Sequence, residues 1–244
     1  MQHPPKLTAT PYVGSYLLVT VLGIGAAGWN SRLPTAAKAA DPDVGTDDTA
    51  RPRPARALWR QPRLWIGLVG AMVAMSTMSA MMTAGPILGE HVGHSAVVTA
   101  FAVQLHMIGM YAPGFLVARV IGRIGETRVV LAGAVLIAAA GIAAAIGTNL
   151  GLFLTAMFLV GVGWNLAYGG GSALITTAYH PNEPTRVQGI AEPIIVAAQV
   201  AGAFSATMFT TANGWLTLGY LSLGLGATVA LTSALGNHRT TVTS

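Results

Sequence analysis

The chain has no cysteine, which excludes a disulfide framework, a thiol nucleophile and a thiolate metal site. Charge is nearly as scarce. Asp, Glu, Lys and Arg together make up 9% of the residues, against about a quarter in soluble domains, while 53% of the chain is hydrophobic. Lysine occurs only as Lys6 and Lys38, outside every long apolar stretch, so the Schiff-base lysine of a seven-span retinal protein is missing. No Ser/His/Asp grouping, phosphate-binding loop or zinc signature is present, and the expectation is that the chain is not an enzyme and carries no cofactor or metal.

What the chain does have is a series of long apolar stretches, at 11–29, 64–86, 96–118, 127–147, 150–176, 187–212 and 215–236. Each is about 19 to 27 residues long, enough to cross a hydrocarbon core roughly 30 Å thick. Twelve of the thirteen Lys and Arg residues lie on one side of this zigzag. Segment 30–63 carries Arg32, Lys38, Arg51, Arg53, Arg56, Arg60 and Arg63. Residues 119–128 carry Arg119, Arg123 and Arg128, and Arg186 and Arg239 complete the set. The intervening loops at 87–95, 148–149 and 213–214 have none. Basic loops stay in the cytoplasm. The expected fold is therefore an all-α integral membrane protein of about seven transmembrane helices in the cytoplasmic membrane, N-terminus outside and C-terminus inside. Trp29, Trp59, Trp65 and Trp215 fall at expected interfaces, whereas Trp164 lies deep in its span. The net charge of +5 is accounted for by these flanks and by anionic lipid, not by nucleic acid. Cleavage of the first stretch as a signal peptide would leave segment 30–63 outside, with seven basic residues on the wrong face, so a retained span is the better reading.

Along the chain this gives an external tail at 1–10, an isolated span at 11–29, a linker at 30–63, a six-span bundle at 64–236 and a cytoplasmic tail at 237–244. The linker is rich in Asp, Pro and Arg, a composition that disfavours packed structure, with a short helix expected near Ala55–Arg60. In the bundle, small residues such as Ala138–Ala140 and Gly141 suit close helix contact. Pro86, Pro113 and Pro193 each remove a backbone donor, so kinks or breaks are expected there.

Polar residues inside spans are the informative ones, because each is costly without a partner. Glu192 is the only carboxylate well inside a span; at a bilayer centre it would cost roughly 2.5–3.5 kcal/mol. Helical spacing puts Gln188, Glu192 and Gln199 within about 40° of one another, a stripe that faces protein or water. It suits a proton- or substrate-binding carboxylate, or a hydrogen-bonded packing contact. His106 lies mid-span, with an unperturbed pKa of about 6.5 that suits proton exchange; a neutral interhelical histidine is the plainer alternative. Trp164, Asn165 and Tyr168 share one side of a glycine-weakened helix, offering an aromatic wall and an amide to a substrate cavity or to a neighbouring helix. Glu90, His91 and His94 are a weak metal signal in a loop. The run Met72, Met75, Met78 and Met82 has the spacing of a packed helix face.

Three stretches resemble the major facilitator superfamily of transporters. One is Gln104-x-His106-x-x-Gly109-Met110-Tyr111-x-Pro113-Gly114, leading into Ala118-Arg119-Val120-Ile121-Gly122-Arg123-Ile124-Gly125. The latter is similar to the family's basic loop, usually Gly-Arg-Leu-x-Asp-Arg-x-Gly. The others are Gly161-x-Gly163-Trp164-Asn165 and Pro184-x-Arg186-x-Gln188-Gly189, followed by Glu192. The resemblance covers about residues 11–236 and implies the C-terminal half of such a transporter, preceded by the last span of its N-terminal half. It implies secondary transport of a small solute, coupled to protons through His106 or Glu192, with Arg119 and Arg123 at the cytoplasmic gate. Ala118 and Gly122 depart from the pattern, the latter replacing the Asp that helps lock that gate; Glu126 offers a carboxylate nearby. The family's cavity lies between two six-span bundles. Its opposing wall would come from a missing N-terminal half or a second copy of the chain. The competing reading is a membrane interaction or remnant protein without transport of its own.

Overall fold

In a computed structural model of the chain, the structure describes residues 13–32, 53–180, 183–208 and most of 219–231. The described residues are helices and short turns, with no strand. The chain divides into two units, at Met1–Arg51 and Pro52–Ser244. In the first unit, helix α1 runs Val13–Asn30 and contains a short apolar segment, Val19–Trp29. The second unit holds α2 (Ala55–Trp59), α3 (Pro62–His91), α4 (Ala96–Tyr111), α5 (Gly114–Ile124), α6 (Glu126–Ile146), α7 (Leu150–Thr177) and α8 (Pro184–Met208). Further helical residues lie within 219–231.

Four helices are long and apolar enough to cross a membrane, namely α3, α6, α7 and α8. The pair α4 and α5, bent by 42° at the break between them, is long and apolar enough when taken together, which makes five if the pair is one span. Pro113 sits at that break and explains it, because it cannot donate a backbone hydrogen bond. Pro86 and Pro193 lie within unbroken helices, so the break expected from proline appears at one of three positions. Much of the expected span at 215–236, most of the linker and both tails lie outside the described residues.

Short, capped turns join the helices. Ser95 accepts from the Val98 amide, and Asn149 accepts from the Leu152 amide at 3.0 Å, opening α4 and α7. A single residue, Gly125 at φ +83°, separates α5 from α6, a conformation that suits glycine. The basic stretch read as a loop is therefore mostly helix. Arg119 and Arg123 sit on the exposed side of α5 and Val117 on its buried side, which makes the segment amphipathic rather than irregular.

Helix α7 is the centre of the unit, packed against α6, α3 and α4, while α8 packs on α3. Its buried face carries Phe153, Ala156, Met157, Val160, Ala167 and Leu174. Two glycines fix the approach of its neighbours. A Cβ on Gly161 would lie 2.3 Å from the His106 carbonyl oxygen on α4, and one on Gly133 of α6 would lie 2.4 Å from the Ala167 nitrogen. Both obstacles are backbone, which cannot swing aside. Overpacking of this kind costs about 1–3 kcal/mol or more. Gly161→Ala and Gly133→Ala should lower the thermal midpoint of the detergent-solubilised chain by several degrees and broaden its size-exclusion peak. Gly189→Ala, where a Cβ would meet open space, should leave both unchanged.

Candidate functional site

The aromatic residues of α7 meet as the sequence suggests. The Trp164 and Tyr168 rings stack at 5.2 Å with only 6° between their planes, one helical turn apart. Tyr111, at the end of α4, meets Trp164 in a T-shaped contact with ring centroids 6.4 Å apart. Trp164 is held from α3, where its Nε1–H donates to Met75 Sδ at 3.2 Å. One of the expected core methionines thus positions the tryptophan. Both α7 rings are half-buried and Tyr111 is exposed, so the group is an aromatic cluster partly open at the edge of the packed core. Trp164 lies about 21 Å along α7 from its start, near the middle of the helix.

His106 and Asn165 face a different contact, the seam between α4 and α7. His106 is fully buried, and its Nδ1 is 2.9 Å from the Met157 carbonyl oxygen, so the proton sits on Nδ1. Asn165 Nδ2 donates in return to the Met110 carbonyl on α4. Each helix thus staples the other's backbone, on either side of Gly161. The histidine is an interhelical fastener as it stands, and it keeps one acceptor in reserve. His106 Nε2, Asn165 Oδ1 and Thr77 Oγ1 are buried and have no hydrogen-bond partner among the described residues. Hydrogen-bonding capacity left inside a membrane bundle is costly, which marks these atoms for notice.

The α8 stripe stands apart from both groups. Val187, Ala191 and Ile195 bury the helix against α3, which leaves Gln188 and Glu192 exposed and Gln199 half-buried. Gln188 Nε2 donates to the Tyr179 hydroxyl. Glu192 makes no ion pair among the described residues. Arg119 and Arg123 are exposed on α5, and neither pairs with Glu126, which opens α6. His94 Nε2 is 2.9 Å from the Thr148 carbonyl oxygen, and its ring packs on Phe153, so it ties two turns together. No group of three His, Asp or Glu residues among the described residues could hold a metal.

One pairing was not anticipated. Arg53, in a Pro-flanked stretch read as unpacked linker, meets Glu183 in the α7–α8 turn with Nη2 to Oε2 at 2.7 Å. Its backbone N–H donates to Oε1 at 2.8 Å, and Nη2 also reaches the Ala178 carbonyl at 3.1 Å. The His180 amide adds a bond to Glu183 Oε2 at 2.9 Å. These contacts, with Leu58 buried beside Ala178 and Val187, bring the linker's end into the compact unit. The available signal was a lone carboxylate placed just before Pro184, the first residue of α8.

The chain matches the Major Facilitator Superfamily over residues 7–195 and again over 66–241. It belongs to that superfamily. The superfamily membership and the apolar helices together make it an all-α integral membrane protein. It is 31% identical to the riboflavin transporter RfnT of Brucella anthropi over 221 residues, which are 89% of this chain and 54% of that protein. Two uncharacterised transporters of the superfamily from Bacillus subtilis are also similar. YddS is 32% identical over 57% of this chain and 32% of its own length, and YdeG 29% over 64% and 38%. The chain thus spans about half, or less, of the length of the curated relatives it matches.

The side-chain hydrogen bond from Arg53, helped by the His180 and Arg53 backbone amides and then by the Arg53 charge, outweighs burial and lowers the Glu183 pKa from 4.5 to about 2. The folded form therefore prefers the carboxylate, and the clamp contributes stability above about pH 4.5 that fades as pH falls toward 2. In wild type, the thermal midpoint should drop across that window and proteolysis should begin near Arg53. Glu183→Gln should have a lower midpoint at pH 7 and a flatter profile below pH 4.5. Identical profiles would show that the pair contributes nothing.

Proposed function

We propose that the chain acts in secondary transport of a small organic solute across the cell membrane, and that its substrate is a planar heteroaromatic compound of the riboflavin class. The observation that carries this is the stacked, half-buried pair Trp164 and Tyr168, with Tyr111 beside it, near the middle of α7. A tricyclic ring offers a large face to such rings, and aromatic stacking is tolerant of the ring's exact substituents. The similarity to a riboflavin transporter supports the same class. Asn165, the residue after Trp164, keeps its buried Oδ1 without a partner among the described residues, an unused acceptor in the neighbouring α4 seam.

The topology proposed for this function has the basic ends of the helices in the cytoplasm, the N-terminus outside and the C-terminus inside. One six-span bundle, residues 64–236, forms one wall of the cavity; the single span and the linker precede it in the chain. A second wall comes from an N-terminal half or from a second copy of the chain. Proton coupling runs through His106, whose Nε2 has no partner among the described residues, or through Glu192 on the exposed face of α8. Gln188 and Gln199 flank that carboxylate, and Arg119 and Arg123 act at the cytoplasmic gate. A second reading is a half-transporter that serves only as an interaction or remnant protein, without transport of its own.

The test is riboflavin uptake by auxotrophic cells or vesicles carrying this chain alone, or the chain extended by any upstream reading frame. Saturable, protonophore-sensitive uptake is expected in at least one form. Trp164→Ala should weaken apparent affinity roughly 5- to 100-fold, and Trp164→Phe far less. Uptake that keeps its proton dependence in the His106→Ala, Glu192→Gln double variant would remove those residues from coupling. Uptake equal to empty vesicles in every form would favour the second reading.

A further inference from the structure

The end of the bundle where α3 and α8 begin carries a cluster of arginines in two different states. Arg53 is neutralised by Glu183. Arg56, Arg60 and Arg63 are exposed, and none forms an ion pair among the described residues. Arg186 joins them from α8, its Nη1 donating to the Arg53 carbonyl at 3.1 Å. These cations stand on a built corner. Leu58 is buried in the apolar cluster shared by α3, α7 and α8, with Trp59 packed beside it. The chain then turns through the extended Gln61 into Pro62, the first residue of α3. Across that turn, Trp65 Nε1–H donates to the Trp59 carbonyl at 2.7 Å, and the two indoles meet edge to face at 5.9 Å.

The two indoles mark the level of the corner. Tryptophan settles at the boundary between hydrocarbon and headgroups, and here a pair of them opens a membrane span, one ring half exposed. Arg60 and Arg63 follow Trp59 and precede Trp65, which puts their guanidinium groups at the depth of lipid phosphates. Guanidinium forks match phosphate oxygens in two-point contacts, and among the described residues none of these three is paired with a carboxylate.

We propose that Arg56, Arg60 and Arg63, held on the Trp59–Trp65 corner by the Arg53–Glu183 clamp, form a binding site for the headgroup of an anionic phospholipid. The site is separate from the aromatic wall and needs only the membrane placement of the bundle, not its substrate. The lipid would pin the start of α3 to the leaflet, so that the linker enters the bundle from a fixed point.

The test is native mass spectrometry of the full chain in detergent with equal amounts of phosphatidylglycerol and phosphatidylcholine. The expected result is preferential retention of phosphatidylglycerol, weakened about tenfold or more in the variant with Arg56→Gln, Arg60→Gln and Arg63→Gln. A control with Arg119→Gln, Arg123→Gln and Arg128→Gln removes the same charge elsewhere and should keep the preference. Arg→Lys at the three corner positions keeps the charge and should retain part of it, which leaves the test readable if the Gln variant misfolds. Equal loss in corner and control variants would overturn the proposal, as would no preference in wild type. So would a preference that appears only after Asp41, Asp43, Asp47 and Asp48 are all changed to Asn, since the corner would then belong to the chain's own acidic segment.

Discussion

Two apolar helices in lipid gain little by burying side chains against each other, because the surrounding acyl chains are just as apolar. Their association depends on close backbone approach and on polar groups that find partners. In this chain both devices meet on α7. Gly161 lets α4 come within contact of its backbone, Gly133 does the same for α6, and His106 and Asn165 staple the α4 seam from opposite sides. The aromatic wall follows from that geometry. Trp164 can stack on Tyr168 while reaching Met75 and Tyr111 only because α7 is held close to α3 and α4 at once.

The polar atoms inside the bundle divide by role. His106 and Asn165 each spend one group on holding helices together and retain another, Nε2 and Oδ1, without a partner among the described residues. A residue of this kind couples packing to whatever binds the free atom, since ligand contact and helix separation then share one side chain. Glu192 differs. It faces outward from α8 on a surface that lipid would penalise, which argues for protein or water against that face.

Much of this architecture was legible because it rests on composition and period. Long charge-free stretches pointed to helices, and the structure places helix over each stretch it describes, four of them, or five with the bent pair, long and apolar enough to cross a membrane. The grouping of Trp164 with Tyr168 followed from a spacing of four residues. Contacts between distant segments were not legible. Nothing local in Arg51-Pro52-Arg53-Pro54 indicates that Arg53 meets a carboxylate 130 residues later. The same holds for Tyr111 joining Trp164 across two helices. The span was read to residue 118 and the basic residues that follow as a loop, because their arginines interrupt the apolar run. The apolar positions among those residues instead fold them into α5, and one glycine at positive φ makes the turn.

Cross-linking in native membranes tests the central arrangement most directly, because the chain has no cysteine of its own to interfere. Leu105 of α4 and Thr155 of α7 line one shared groove. Cysteines at these two positions should link efficiently under mild oxidation, as read by peptide mass spectrometry, while Leu105→Cys paired with Ile190→Cys on α8 should not. Failure of the first pair to link, or equal linking of both, would contradict a bundle built around α7.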